Sequence, residues 1–367
     1  MRDEPLLATC WTSAGDAAPL RGDERSPLPL RERIEALAQA GFRGFGLVHA
    51  DLLAAEQQYG LAGIRSMVSD NGLIHIELEL LTDWWASGPT RERSDEVRRT
   101  LLSAAESLGA DHIKVAPDVS GSPWDYADWV REFSRLAADA HAVGTRVGLE
   151  FLPWSNIETV HDGLRLVEDA GHEAGGLIID VWHTERAHTP PEDLATIPLE
   201  RIVGVELNDA DMAPVGTLFE DTVNRRRLCG QGSFRLPELI QALRSTGWAG
   251  PWGVEILSEE FRQLPLHEAL AAAYQTAKAQ LRYRDTLASG QPTQRRSHVS
   301  RAQDGVARAR SEGNAAVIAV SPARRYWSAR WMSRHVPGPN TGVTGTSANA
   351  VCCSASPSER ISSAQSG

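Results

Sequence analysis

The stretch GLIIDVWH, residues 176–183, is the key to the chain's architecture. Leu177, Ile178 and Ile179 run straight into Asp180, with His183 on the far side of Val181 and Trp182. Gly175 precedes the run and the polar Thr184, Glu185 and Arg186 follow it. A short aliphatic run bounded in this way has the pattern of a strand covered on both faces, as in parallel sheets. Asp180 is then the last inward side chain, and His183 stands on the loop that follows. α/β folds bind ligands at the carboxyl ends of parallel strands, where this carboxylate and imidazole would lie. An Asp there equally suits the cap of the next helix, so the motif alone leaves both roles open.

Outward from this stretch the chain alternates. Strands are expected at Leu6–Thr12, Phe45–Val48, Leu73–Leu81, His112–Ala116, Arg146–Phe151, Arg201–Leu207 and Trp252–Leu257, besides the one at 176–180. Helices are expected between them, among them Leu30–Ala40, Ile64–Ser69, a helix capped by Ser94 and ending near Leu108, Tyr126–Val143, Ile157–Ala170, Leu236–Thr246 and Leu266 to about Asp285. Gly41, Gly109, Gly144 and Gly171 stand where helix ends favour glycine. Eight strand–helix alternations predict a (β/α)₈ TIM barrel, a fold of about 250 residues. A doubly wound open sheet would carry a glycine-rich phosphate turn early in the chain, and the first strand is followed by no such motif.

The barrel is expected over residues 1–287. Residues 288–367 have another character: Ser, Gly, Ala and Pro accumulate, Arg outnumbers the acids, and VPGPNTGVTGTSANAV (336–351) has the composition of disorder. A basic low-complexity tail is expected there. The whole chain of 367 residues is acidic, with a formal charge of −11, which argues against nucleic acid as a partner. Cys10, Cys229, Cys352 and Cys353 lack metal-ligand spacing, and adjacent cysteines rarely bond each other, so a reducing compartment is expected. No signal-like start and no membrane-length apolar run is visible, and the expectation is a cytoplasmic protein without a membrane partner.

The late strands repeat one pattern. In RVGLEF (146–151), Val147, Leu149 and Phe151 share one face and Gly148 and Glu150 the other. In RIVGVELND (201–209), Val203, Val205 and Leu207 alternate with Gly204, Glu206 and Asn208; in WGVEIL (252–257), Val254 and Ile256 oppose Gly253 and Glu255. The aliphatics then meet the helices, and Glu150, Asp180, Glu206 and Glu255 point into the barrel near its carboxyl end. One inward Glu is most simply half of a salt bridge. Four buried carboxylates at matched depth need either basic partners or a divalent cation, because each costs several kcal/mol unpaired. An oxygen-rich set suits Mn²⁺ or Mg²⁺, with Co²⁺ also open.

Glu150, the Asp180-Val-Trp-His183 segment, VELND and Glu255 together resemble the xylose isomerase-like superfamily, in its sugar phosphate isomerase/epimerase branch. The resemblance spans roughly Leu6 to Asp285. It implies one divalent cation held by Glu150, Asp180, Glu206 and Glu255, with His183 contacting substrate. Glu206 departs from the pattern, which has a neutral ligand on the seventh strand, so this site should need a cation more, hold a proton, or pair Glu206 with an Arg. The family also has a substrate-contacting Arg in the loop after that strand. Of Arg225, Arg226 and Arg227, Arg227 is the expected one, against the plain reading of a surface basic cluster. Lys114 alternates inward on the fourth strand with Glu77 and Glu79 on the third, and Trp154 offers an apolar face to a sugar.

The resemblance further implies a keto-sugar, sugar phosphate or polyol substrate and a metal-stabilised enediolate, with Glu150 and Glu255 carrying the proton. Dehydration of an inosose or dehydroshikimate-like substrate shares the first half of that chemistry, with His183 or Lys114 helping a hydroxyl to leave. A homodimer is left open. Two other classes compete: a nuclease on a related barrel, disfavoured by the scarcity of histidines on the strands, and a non-catalytic polyol-binding barrel, which Glu206 keeps in contention.

Overall fold

The computed structural model of the protein describes residues 4–288. The expected tail therefore lies, apart from Ala288, outside the described residues. Eight parallel strands close on themselves in chain order: β1 (Leu6–Ala8), β2 (Gly44–Val48), β3 (His75–Leu81), β4 (His112–Val115), β5 (Arg146–Glu150), β6 (Gly175–Asp180), β7 (Ile202–Leu207) and β8 (Trp252–Val254). β1 pairs with β8 to complete a TIM barrel. Among the described residues, no helix is long and apolar enough to cross a membrane.

Side-chain alternation sorts the strands into an outer, helix-facing layer and an inner one. Val147, Leu149, Leu177, Ile179, Val205, Leu207 and Val254 join the core between sheet and helices. Ile178 points inward, and two glycines of the repeated Gly-x-Glu pattern, Gly148 and Gly204, make room for it. A Cβ at Gly148 would sit 2.4 Å from Ile178 Cδ1, and one at Gly204 would sit 2.9 Å from the same atom. The glycines thus clear the barrel axis one level below the glutamates. Val203 departs from the expected alternation: it reaches toward Gly148 and Gly176 beside the register shift between Leu177 and Ile178.

Several elements differ from the sequence expectation. Helix 64–69 is the end of a much longer one, His49–Asp70, broken at Gly60 where φ is +65°. Helix 94–108 begins earlier, at Gly88, with a proline in its first turn. Ser94 lies inside it and donates from Oγ to Thr82 O at 2.6 Å. The helix expected at Ile157–Ala170 starts at Val160, where Thr159 and Asp162 form a reciprocal capping box. β8 ends at Val254, yet Glu255 N still donates to Leu207 O at 3.1 Å, so Glu255 continues the line of the strand.

Candidate active site

The carboxyl ends of the strands deliver a buried charged cluster. Glu150 and Asp180 are the last residues of β5 and β6, Glu206 is next to last in β7, and Glu255 follows β8. Each offers an oxygen, and the four oxygens lie within 4.8 Å of one another; Glu150, Asp180 and His183 form a second such group. Glu79 from β3 and Lys114 from β4 join them, and one level lower His112 Nε2 stands 3.4 Å from Glu77 Oε2.

Asp180 takes the capping role its motif allowed and also stands among the clustered carboxylates. Oδ1 accepts from Trp182 N at 2.6 Å and His183 N at 3.2 Å, capping the short helix Val181–Arg186. Oδ2 accepts from Arg226 Nη1 at 2.6 Å and Asn208 Nδ2 at 3.1 Å. Burial pushes this carboxyl up, but the Arg226 charge and these hydrogen bonds outweigh it and hold Asp180 well below the usual carboxylate range. Arg226 Nη1 also lies 2.8 Å from Glu255 Oε2, so one guanidinium joins two of the four carboxylates. His183, expected on a loop, sits in the first turn of the capped helix, with Nε2 3.6 Å from Glu150 Oε1. Burial lowers its imidazole to about 3, so it is neutral near pH 7.

Lys114 is the second cation. Its Nζ lies 2.5 Å from Glu206, 3.2 Å from Glu255, 3.3 Å from Glu79 and 4.0 Å from Glu150. Burial opposes its charge, and the surrounding carboxylates more than restore it, keeping Lys114 protonated. The carboxylates remain in excess. Burial, only partly offset by Lys114, pushes Glu150 up to about 8. Burial and the charge of Glu255 drive Glu206 well above its ordinary value, and burial raises Glu255 despite Lys114 and Arg226. Glu150 Oε1 and both oxygens of Glu206 are buried without a hydrogen bond. Converging oxygens, unused acceptors and surplus negative charge fit a divalent cation, with Glu150, Asp180, Glu206 and Glu255 as the available ligands.

The remaining expected residues divide. Trp154 is half-buried beside the cluster, its ring centroid 5.5 Å from that of His183 and 6.0 Å from that of Trp182. Arg227 does not enter the site. Its side chain is 48% exposed and pairs with Asp211 at 2.8 Å, while the side chain of Arg226 is 1% exposed and reaches the carboxylates. The reason is local: the segment is extended, with bridges Asp209↔Arg227 and Arg225↔Ser258, so its side chains alternate and the middle Arg alone turns inward. Asn208, which holds Asp180, and Arg226 were the contributors that the sequence reading passed over. The sequence holds no signal that singles out Arg226, because the alternation along Arg225–Arg227 follows from the two flanking bridges.

Comparison with known proteins agrees with the fold. The family model described as a xylose isomerase-like TIM barrel matches residues 34–284. A 3-dehydroshikimate dehydratase of Pseudomonas aeruginosa is 30% identical over 244 residues, covering 64% of this chain and 37% of the dehydratase, so the match spans little over a third of that enzyme. An inosose isomerase of Halalkalibacterium halodurans is 28% identical over 182 residues, 48% of this chain and 64% of the isomerase. The crystal structure of an IolI protein with a bound zinc atom superposes with a TM-score of 0.66 at 18% identity, over 76% of this chain and 98% of that one. With its model matched over most of the barrel, the chain belongs to the xylose isomerase-like TIM barrel family.

Proposed function

We propose that this protein is a divalent-metal-dependent isomerase or epimerase of a keto-sugar, sugar phosphate or related polyol, acting by proton transfer beside a carbonyl. One observation carries the reading: Glu150, Asp180, Glu206 and Glu255 converge within 4.8 Å at the mouth of the barrel. When bound there, a divalent cation such as Mn²⁺ or Mg²⁺ supplies a Lewis acid for adjacent carbonyl and hydroxyl oxygens of the substrate. Glu150 and Glu255 rise from strand ends on different sides of the cluster and are the residues to take and return the proton. Neutral His183 offers a hydrogen bond to a substrate hydroxyl. Lys114 provides a fixed positive charge for oxygens that become negative. Trp154 covers the apolar side of a sugar ring. Arg226 holds Asp180 and Glu255 in place, replacing Arg227 in the proposed set.

The P. aeruginosa relative favours a second reading, dehydration of a cyclic hydroxyketone. The two share removal of the proton next to the carbonyl and differ in whether a β-hydroxyl then leaves. The test is a panel of keto-sugars, inososes and dehydroshikimate incubated with purified protein, with Mn²⁺ or with EDTA, and the products identified by NMR. Metal-dependent formation of an isomer or epimer supports the first reading, a product lighter by one water the second. No turnover across the panel with metal present would favour the non-catalytic barrel.

A further inference from the structure

Six carboxylates, Glu77, Glu79, Glu150, Asp180, Glu206 and Glu255, share the barrel interior with the buried cations Lys114 and Arg226. The two cations divide the work. Arg226 serves Asp180 and Glu255, at 2.6 and 2.8 Å. Lys114, from β4, makes its shortest contact with Glu206 of β7, at 2.5 Å, and its side chain is 1% exposed. Both oxygens of Glu206 are buried without a hydrogen bond, and Oε1 is the one in ion contact with the ammonium. A dication on four ionised carboxylates leaves a net charge of about −2, which an interior site must offset.

We propose that Lys114 and Glu206 are a matched pair. The ammonium offsets the fourth carboxylate, so the centre presents to a divalent cation the charge of a three-carboxylate site. This rests on the metal-dependent reading above. Lys114 is then a positioning residue that sets metal affinity by its charge, whichever substrate is used. A unit charge a few ångströms from the ion, at the effective interior dielectric, shifts binding on the order of tenfold to a hundredfold or more.

Removing either member alone should move affinity in opposite directions, and removing both should cancel. Mn²⁺ binding to the full chain, measured by isothermal titration at one pH, reads this directly without any substrate. The expected results are at least about tenfold tighter binding for Lys114→Met, at least about tenfold weaker binding for Glu206→Gln, and a double variant within about threefold of wild type. Lys114→Arg, which keeps the charge, should stay near wild type. If Lys114→Met does not fold, Glu206→Gln against the double variant still decides, because the double variant preserves net charge. A double variant as weak as Glu206→Gln, or Lys114→Met no tighter than wild type, would overturn the pairing while leaving the metal site standing. A wild-type chain that binds no Mn²⁺ would overturn both.

Discussion

Arg226→Met tests the wiring of the cluster most sharply. Arg226 Nη1 touches Asp180 at 2.6 Å and Glu255 at 2.8 Å, and all three side chains are buried. Methionine fills much of the space but leaves two carboxylates facing each other without their guanidinium. Removing one partner of a buried ion pair costs roughly 3–5 kcal/mol. With an unfolding entropy of about 2.1 cal/mol/K per residue, a barrel of some 285 residues shifts by about 1.7 °C per kcal/mol, so the metal-free unfolding temperature should fall by roughly 5–8 °C. Protonation of the orphaned carboxylates limits the cost, so the deficit should be smaller near pH 5 than near pH 8. Saturating Mn²⁺ should recover part of the loss, because a dication between the carboxylates supplies the missing charge. Circular dichroism melts in EDTA and in Mn²⁺ provide the numbers, with Arg227→Met as control. Arg227 pairs with Asp211 at the surface, and its loss should move the melt by no more than about 2 °C. An Arg226→Met melt within about 2 °C of wild type in EDTA, or equal losses for the two variants, would refute the assignment of Arg226 as the inward partner.

Further outcomes follow from the same geometry. Glu150→Gln and Glu255→Gln should each lower kcat by about a hundredfold to ten-thousandfold while the fold survives, measured on whichever substrate the panel identifies. The metal-free protein should lose stability as pH rises. Glu150, held at about 8 in the folded chain against about 4.3 unfolded, favours folding when protonated, and that contribution disappears between those two values; urea titrations from pH 5 to 8.5 should show the decline, flattened in Glu150→Gln. Truncation to residues 1–287 should leave the melt within a few degrees of the full chain, because the eight strands close without the segment beyond.

Much of the fold was legible because two periodicities carried it. Aliphatics at every second position marked the strands, and the glycines before Glu150 and Glu206 marked the level where Ile178 crosses the barrel. The long helix His49–Asp70 was read short, since its Ala, Gln and Gly residues give little apolar periodicity and Gly60 interrupts it. The four convergent carboxylates were visible as a shared inward face. Their partners were less so. That Lys114 meets Glu206 depends on barrel closure and strand stagger, which bring β4 across to β7, and no local pattern encodes that distance. The choice between Arg226 and Arg227 turned on one residue of register in an irregular loop, where strand periodicity gives no warning until the flanking bridges are known.

The central claim, metal-assisted proton transfer next to a carbonyl, is tested most directly by following hydrogen exchange in deuterated water. The protein is incubated with a substrate found in the panel, once with Mn²⁺ and once with EDTA, and deuterium at the carbon beside the carbonyl is counted by NMR. The account predicts deuterium at that carbon with metal and none with EDTA, and none with Glu150→Gln. Turnover that proceeds equally in EDTA, or product formed with metal and no solvent deuterium at that carbon, would contradict it.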